Sequence, residues 1–72
     1  EADFTECDLS GSLFENCNLS GSIFDNTNLE MADLRSAYNF SIDPEQNRIK
    51  KAVLSRQNLE GLLNKYNIVI DN

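Results

Sequence analysis

The chain has 72 residues, 12 acidic and 6 basic side chains, a net charge of −6, two cysteines and no histidine. That length bounds it to one domain with a small core. The acidic balance argues against a phosphate-binding surface, and the longest apolar run, Ile68-Val69-Ile70, is far too short to span a bilayer.

From Ala2 to Ser36 the sequence repeats every five residues: ADFTE, CDLSG, SLFEN, CNLSG, SIFDN, TNLEM, ADLRS. The centre of each unit is apolar: Phe4, Leu9, Phe14, Leu19, Phe24, Leu29, Leu34. Two residues earlier stands a small side chain: Ala2, Cys7, Ser12, Cys17, Ser22, Thr27, Ala32. Between them lies Asp or Asn in most units. A helix repeats near 3.6 residues and a strand near 2, so neither produces this pattern; a stacked solenoid does. A unit that turns one corner every five residues closes a square coil in four. Phe4 then lies over Phe24, Leu9 over Leu29 and Phe14 over Leu34. The Asp or Asn side chains are expected to bond nearby backbone at the corners, and coils to stack about 4.8 Å apart.

The in-frame units resemble the pentapeptide-repeat family. That resemblance implies an all-β, right-handed quadrilateral β-helix. The eighth unit departs from the pattern, because Asn39 replaces the central apolar residue. We therefore expect β-helix coils over residues 1–41 and a capping and dimerisation module over 42–72. Glu1 is already in register with no cap before it, which reads as the C-terminal part of a longer rod with a raw N-terminal edge. Cys7 and Cys17 fall half a coil apart at small inward positions and read as buried hydrophobes, not as a disulfide; free thiols imply the cytoplasm.

Beyond residue 41 the composition changes. Asp43 reads as a helix N-cap, with Pro44 at the first helical position and Gln46 completing a capping box. Ala52-Val53-Leu54-Ser55-Arg56 resembles one further pentapeptide or a closing strand. Ser55 reads as the N-cap of an α-helix from Arg56 to about Tyr66, with Leu54 and Leu59 as a hydrophobic staple. Leu59, Leu62, Leu63 and Tyr66 form its apolar stripe, Gly61 weakens it by about 1 kcal/mol, and Asn67 ends it in a left-handed conformation. The stripe, with Ile68, Val69 and Ile70, is the expected interface of a homodimer.

This C-terminal segment resembles the end module of Qnr-type quinolone-resistance proteins. The resemblance implies a small α-helical cap, an end-to-end dimer, and a rod that imitates DNA while binding DNA gyrase or topoisomerase IV. Charge agrees in part. Residues 1–36 hold eight acids and one base, whereas residues 37–72 hold four acids and five bases. Asp3, Asp8 and Asp33 occupy the corner position that the fold requires. Glu6, Glu15, Asp25 and Glu30 do not, and they are the candidate partner-binding residues. On a square coil the acids fall on three faces, and the fourth offers Asn18, Ser20, Gly21 and Tyr38. Fewer than two coils imitate only about three base pairs. The alternative is a structural or interaction module with another protein partner. Catalytic, cofactor-binding and metal-binding residues are not expected: the carboxylates do not converge in a pocket, and two cysteines ten residues apart without histidine make no zinc site.

Overall fold

The computed structural model describes residues 1–71. Its ladder is built from isolated parallel β-bridges between residues twenty apart: Asp3 with Ile23, Asp8 with Asn28, Leu13 with Asp33, and Asn18 with Tyr38. The square coil read from the sequence is therefore the coil observed. Each bridge is a pair of main-chain bonds. Phe4 N–H donates to the Ile23 carbonyl and Ile23 N–H to the Ala2 carbonyl, both at 2.8 Å. Bonds of this kind satisfy most backbone groups that the tube would otherwise bury.

The central residues fill the tube. Leu29 and Leu34 are fully buried, and Phe14, Leu19 and Phe24 nearly so. Phe4 stacks on Phe24 with ring centroids 5.1 Å apart and meets Phe14 edge-on at 6.2 Å, both favoured aromatic geometries. Small residues bring the backbone to the axis; Ala32 and Thr27 are completely buried. The Thr27 hydroxyl donates to the Phe4 carbonyl at 2.7 Å, so its burial leaves no unpaired polar atom. Cys7 and Cys17 are free thiols, half-buried at the same repeat position.

Two rules govern the corners. The Asp or Asn at the second position accepts the N–H two residues on: Asp8 from Ser10, Asn18 from Ser20, Asn28 from Glu30, Asp33 from Arg35. This is the expected corner chemistry. The fifth position adopts positive φ, at Glu6, Gly11, Asn16, Gly21, Asn26 and Met31. Glycine and asparagine tolerate that region and other residues are strained in it. The recurrence of Gly11, Asn16, Gly21 and Asn26 at one repeat position was the readable sign of it.

The ladder does not stop at residue 41. Asn28 bridges onward to Arg48, and Asp33 to Val53. Residues 42–56 are thus three more units in the same frame, IDPEQ, NRIKK and AVLSR. The last matches the expectation of a further pentapeptide or closing strand; the helix expected to start at Asp43 does not form. Asp43 accepts the Glu45 N–H at 2.9 Å, and Gln46 N–H bonds the Asp43 carbonyl at 3.1 Å, closing a corner of the coil. An N-cap and such a corner use the same local bonds, so the sequence does not separate them. In this unit large and small change places: Ile42 at the small position is buried, and Pro44 stands at the centre. Asn47, also at a small position, donates to the Phe24 carbonyl at 3.1 Å, as Thr27 does to Phe4 one coil earlier.

The α-helical cap is a second correction. The segment winds as 3-10 helix over Arg56–Leu62 and again over Asn64–Tyr66. Ser55 precedes it in extended conformation, and Asn67 ends it at φ 56°, ψ 34°, both where expected. The narrower winding follows from what the segment touches. Gly61 is buried against Phe40, and its carbonyl accepts the Ile42 N–H at 2.8 Å. A Cβ on Gly61 would lie 2.3 Å from the Phe40 ring. Phe40 itself, one residue after the irregular Asn39 at φ 62°, supplies the buried apolar group that Asn39 withholds.

Candidate functional site

The candidate surface is the skin of the tube, so each side chain's place follows from its repeat position. Glu6 lies at the fifth position of the first face and Asp25 at the fourth position of that face one coil on. Glu15 occupies the fourth position of the third face, and Glu30 the same position on the second. Glu6, Glu15 and Asp25 are exposed and Glu30 is half-buried. None of the four forms a salt bridge among the described residues. The fold brings Glu6 and Asp25 onto one face, and the Glu6 N–H donates to the Asp25 carbonyl at 2.9 Å. Glu15 and Glu30 stand on other faces.

The corner carboxylates behave differently. The Thr5 hydroxyl and N–H both donate to Asp3 and hold its carboxyl below the usual range. Ser10 does the same for Asp8. Asp33 is lowered by the Arg35 side chain, which closes on it at 2.8 Å, and then by the Arg35 N–H. These groups are committed to turns, which leaves the fourth- and fifth-position acids as the free charges.

The third coil changes the sign of the second face. Arg48 follows Asp8 and Asn28 in one ladder, while Lys50 follows Glu30 and Lys51 follows Met31 at the next corner. All three cations are exposed, and none is in a salt bridge among the described residues. The excess of bases beyond residue 36 is visible in the sequence, but their convergence is not, because the segment from Asp43 reads locally as a helix start. The five-residue frame, continued to Ile49 and Leu54, was the signal. The first face stays acidic in the third coil. There Asp43 and Glu45 hold Lys65 at 3.1 and 3.3 Å, and the Tyr66 hydroxyl donates to Glu45 at 3.0 Å. The bond to Asp43 raises Lys65, and the bond to Glu45 raises Tyr66.

The expected dimer residues divide. Leu62 packs against the core cluster, and Tyr66 is drawn to Glu45 of its own chain. Leu59, Ile68, Val69 and Ile70 are exposed, Val69 at 94%. Leu59, Leu63 and Ile70 line one shallow depression. No group of three or more metal-ligating side chains converges among the described residues, and no helix there is long and apolar enough to cross a membrane.

Residues 2–38 match the family model for pentapeptide repeats, in 8 copies. The chain belongs to the pentapeptide-repeat family. Its coils accordingly form the family's right-handed β-helix. Among solved structures it is similar to a trypsin-treated form of QnrB1, a plasmid-mediated fluoroquinolone resistance protein, with 14% sequence identity and a TM-score of 0.48. That alignment covers 96% of this chain and 45% of the other, so the chain spans under half of that protein's length. No curated protein sequence matches it.

Proposed function

We propose that this pentapeptide-repeat segment acts by binding and not by catalysis, and that its acidic coils imitate DNA toward a type II topoisomerase, DNA gyrase or topoisomerase IV. The observation that supports this reading is the free acidic skin. Glu6, Glu15 and Asp25 project from the tube without cationic partners among the described residues. A basic enzyme saddle that accepts phosphates would accept carboxylates at comparable spacing. Three coils place ladder residues over about 10 Å, a length that holds about six duplex charges. The reading also includes a cytoplasmic protein that protects its partner from quinolones, and a homodimer joined through the C-terminal end. The exposed Leu59, Ile68, Val69 and Ile70, with the half-buried Leu63, supply the apolar surface for that contact.

A second reading has its own support. Arg48, Lys50 and Lys51 interrupt the acidic skin where a uniform mimic would continue it, and that favours an interaction module with a different protein partner. One experiment separates the two. Gyrase supercoiling, with and without a quinolone, is measured against the intact protein and a variant carrying Glu6→Gln, Glu15→Gln, Asp25→Asn and Glu30→Gln. On the topoisomerase reading the variant folds but loses binding, and binding by the parent falls steeply with salt. Undiminished, salt-independent binding by the variant leaves the other reading standing.

A further inference from the structure

Main-chain bonding between coils follows one rule in most units. The N–H groups of the third and fifth residues of a unit donate to carbonyls nineteen residues on. Phe4 donates to Ile23 and Glu6 to Asp25, at 2.8 and 2.9 Å. Leu9 donates to Asn28 and Gly11 to Glu30, at 2.7 and 2.9 Å, and Leu29 and Met31 repeat the pair toward Arg48 and Lys50. Asn26 N–H instead reaches the Gln46 carbonyl, twenty residues on, Asn16 N–H reaches the Ser36 hydroxyl, and the Gly21 and Phe24 N–H groups make no main-chain bond between coils among the described residues. On the fourth face of the second coil the corresponding donors are Asn39 and Ser41. Their acceptors by this rule, Asn58 and Glu60, are wound into the 3-10 helix instead. Asn58 compensates in part: its side-chain amide donates to the Leu34 and Ala37 carbonyls at 2.8 and 3.0 Å. The Asn39 and Ser41 N–H groups find no partner among the described residues.

The result is a short open ladder edge beside a groove. Tyr38, Asn39, Ser41, Gln57, Glu60 and Asn64 line it. Both donor residues are exposed, and two N–H groups two residues apart are what an added strand pairs with. The same molecule carries an unpaired strand-forming segment. Ile68, Val69 and Ile70 are β-branched, solvent-exposed, and without main-chain hydrogen bonds among the described residues. Within its own chain Ile70 lies in a separate depression with Leu59 and Leu63.

We propose that the groove on the fourth face receives residues 68–70 of a second copy of this chain. Alternate carbonyls of the incoming segment accept the Asn39 and Ser41 N–H groups. Two-fold symmetry makes the exchange reciprocal, so both unpaired segments and both open edges are closed together. This rests on the dimer in the proposed function and adds where each tail goes.

Amide hydrogen exchange by NMR on the 72-residue chain tests it, with sedimentation at the same concentrations. The expected result is a dimer in which the Asn39 and Ser41 amides exchange at least tenfold more slowly than in a variant ending at Asn67. A synthetic peptide of residues 67–72 should restore slow exchange to that variant. The amides of Leu29 and Leu34, paired inside the tube, report whether each variant is folded. A dimer with fast exchange at Asn39 and Ser41 overturns the groove assignment and leaves the end-to-end dimer intact. A monomer at all concentrations overturns the dimer, and the exchange of tails with it, whether or not the peptide binds.

Discussion

The first two coils and the C-terminal third solve the same problem in opposite ways. In residues 2–36 one five-residue device is used seven times, a small residue and an apolar centre, with an Asp or Asn bonding the corner in five of the seven units. Beyond Ala37 the tube continues, but each position has its own solution. Phe40 replaces a missing centre, Ile42 and Pro44 exchange large for small, Asn47 bonds back to the Phe24 carbonyl, and Asn58 satisfies two carbonyls. Repetition spreads a function over many equivalent residues, whereas an end must be built from residues that have no duplicate. The two regions should therefore fail differently when altered.

The largest loss is expected from the repeated centres, because every one is shared by adjacent coils. Phe14 is buried in the core and packs edge-on against Phe4. Phe14→Ala should cost about 3–5 kcal/mol, seen as a lowered urea midpoint at constant m-value. An effect no greater than that of Glu15→Gln, which is exposed and should lie within about 0.5 kcal/mol, would show that the five-residue register is wrong.

The end should show the next largest effect, from a change that stabilises ordinary helices. Gly61→Ala raises helix propensity by about 1 kcal/mol. Here the new Cβ would stand 2.3 Å from the Phe40 ring and 2.8 Å from the Phe40 carbonyl. The backbone contact cannot yield by rotating a side chain, so a net loss of about 1–3 kcal/mol is expected. A more stable variant would mean that the 3-10 segment does not seat on Phe40.

These two sites also mark what was readable from sequence. Phe14 announces itself, because six other residues stand in its place at the same period. Gly61 does not; read alone it is a weak residue in a helix, and its reason lies in Phe40, twenty-one residues earlier. The end of the ladder was misplaced for the same cause. Asp43, Pro44 and Gln46 satisfy helix-start chemistry locally, and only the uninterrupted frame to Ile49 and Leu54 indicates a further coil. The exposure of Glu6, Glu15 and Asp25 was legible from repeat position, whereas Glu30, at the same position as Glu15, is half-buried. The basic cluster of Arg48, Lys50 and Lys51 was not, since it exists only once the third coil is in place.

A smaller, pH-dependent effect should separate charge from corner geometry. In the folded chain Asp3, Asp8, Asp33 and Asp43 are held below their ordinary pKa by bonds from Thr5, Ser10, Arg35 and Glu45. Their contribution is fully present above the unfolded carboxyl pKa, near ~3.9, and is lost as the pH falls through the lower folded values. Urea midpoints should therefore be flat from neutral pH to about pH 5 and decline below about pH 4. Asn18 and Asn28 make the same corner bond without a charge. Asp8→Asn should accordingly keep the neutral-pH midpoint and flatten the acid decline; an unchanged decline would assign acid sensitivity to other groups.

The smallest effect tests the strain that the repeat tolerates. Met31 and Lys51 occupy the fifth position at φ 60° and 63°, where Gly11 and Gly21 sit without penalty. Met31 is 60% exposed, so removing its side chain sacrifices little packing. A left-handed conformation costs an ordinary L-residue roughly 1–2 kcal/mol, and glycine returns roughly 0.5–1 kcal/mol of that through the greater freedom of its unfolded chain. Met31→Gly should then stabilise the chain by about 0.5–1 kcal/mol. Lys51→Gly should gain similarly, although it lies in the third coil, because both regions share this corner. Gain at Met31 with loss at Lys51 would show that the third coil's corner is held by its side chain and is not equivalent to those before it.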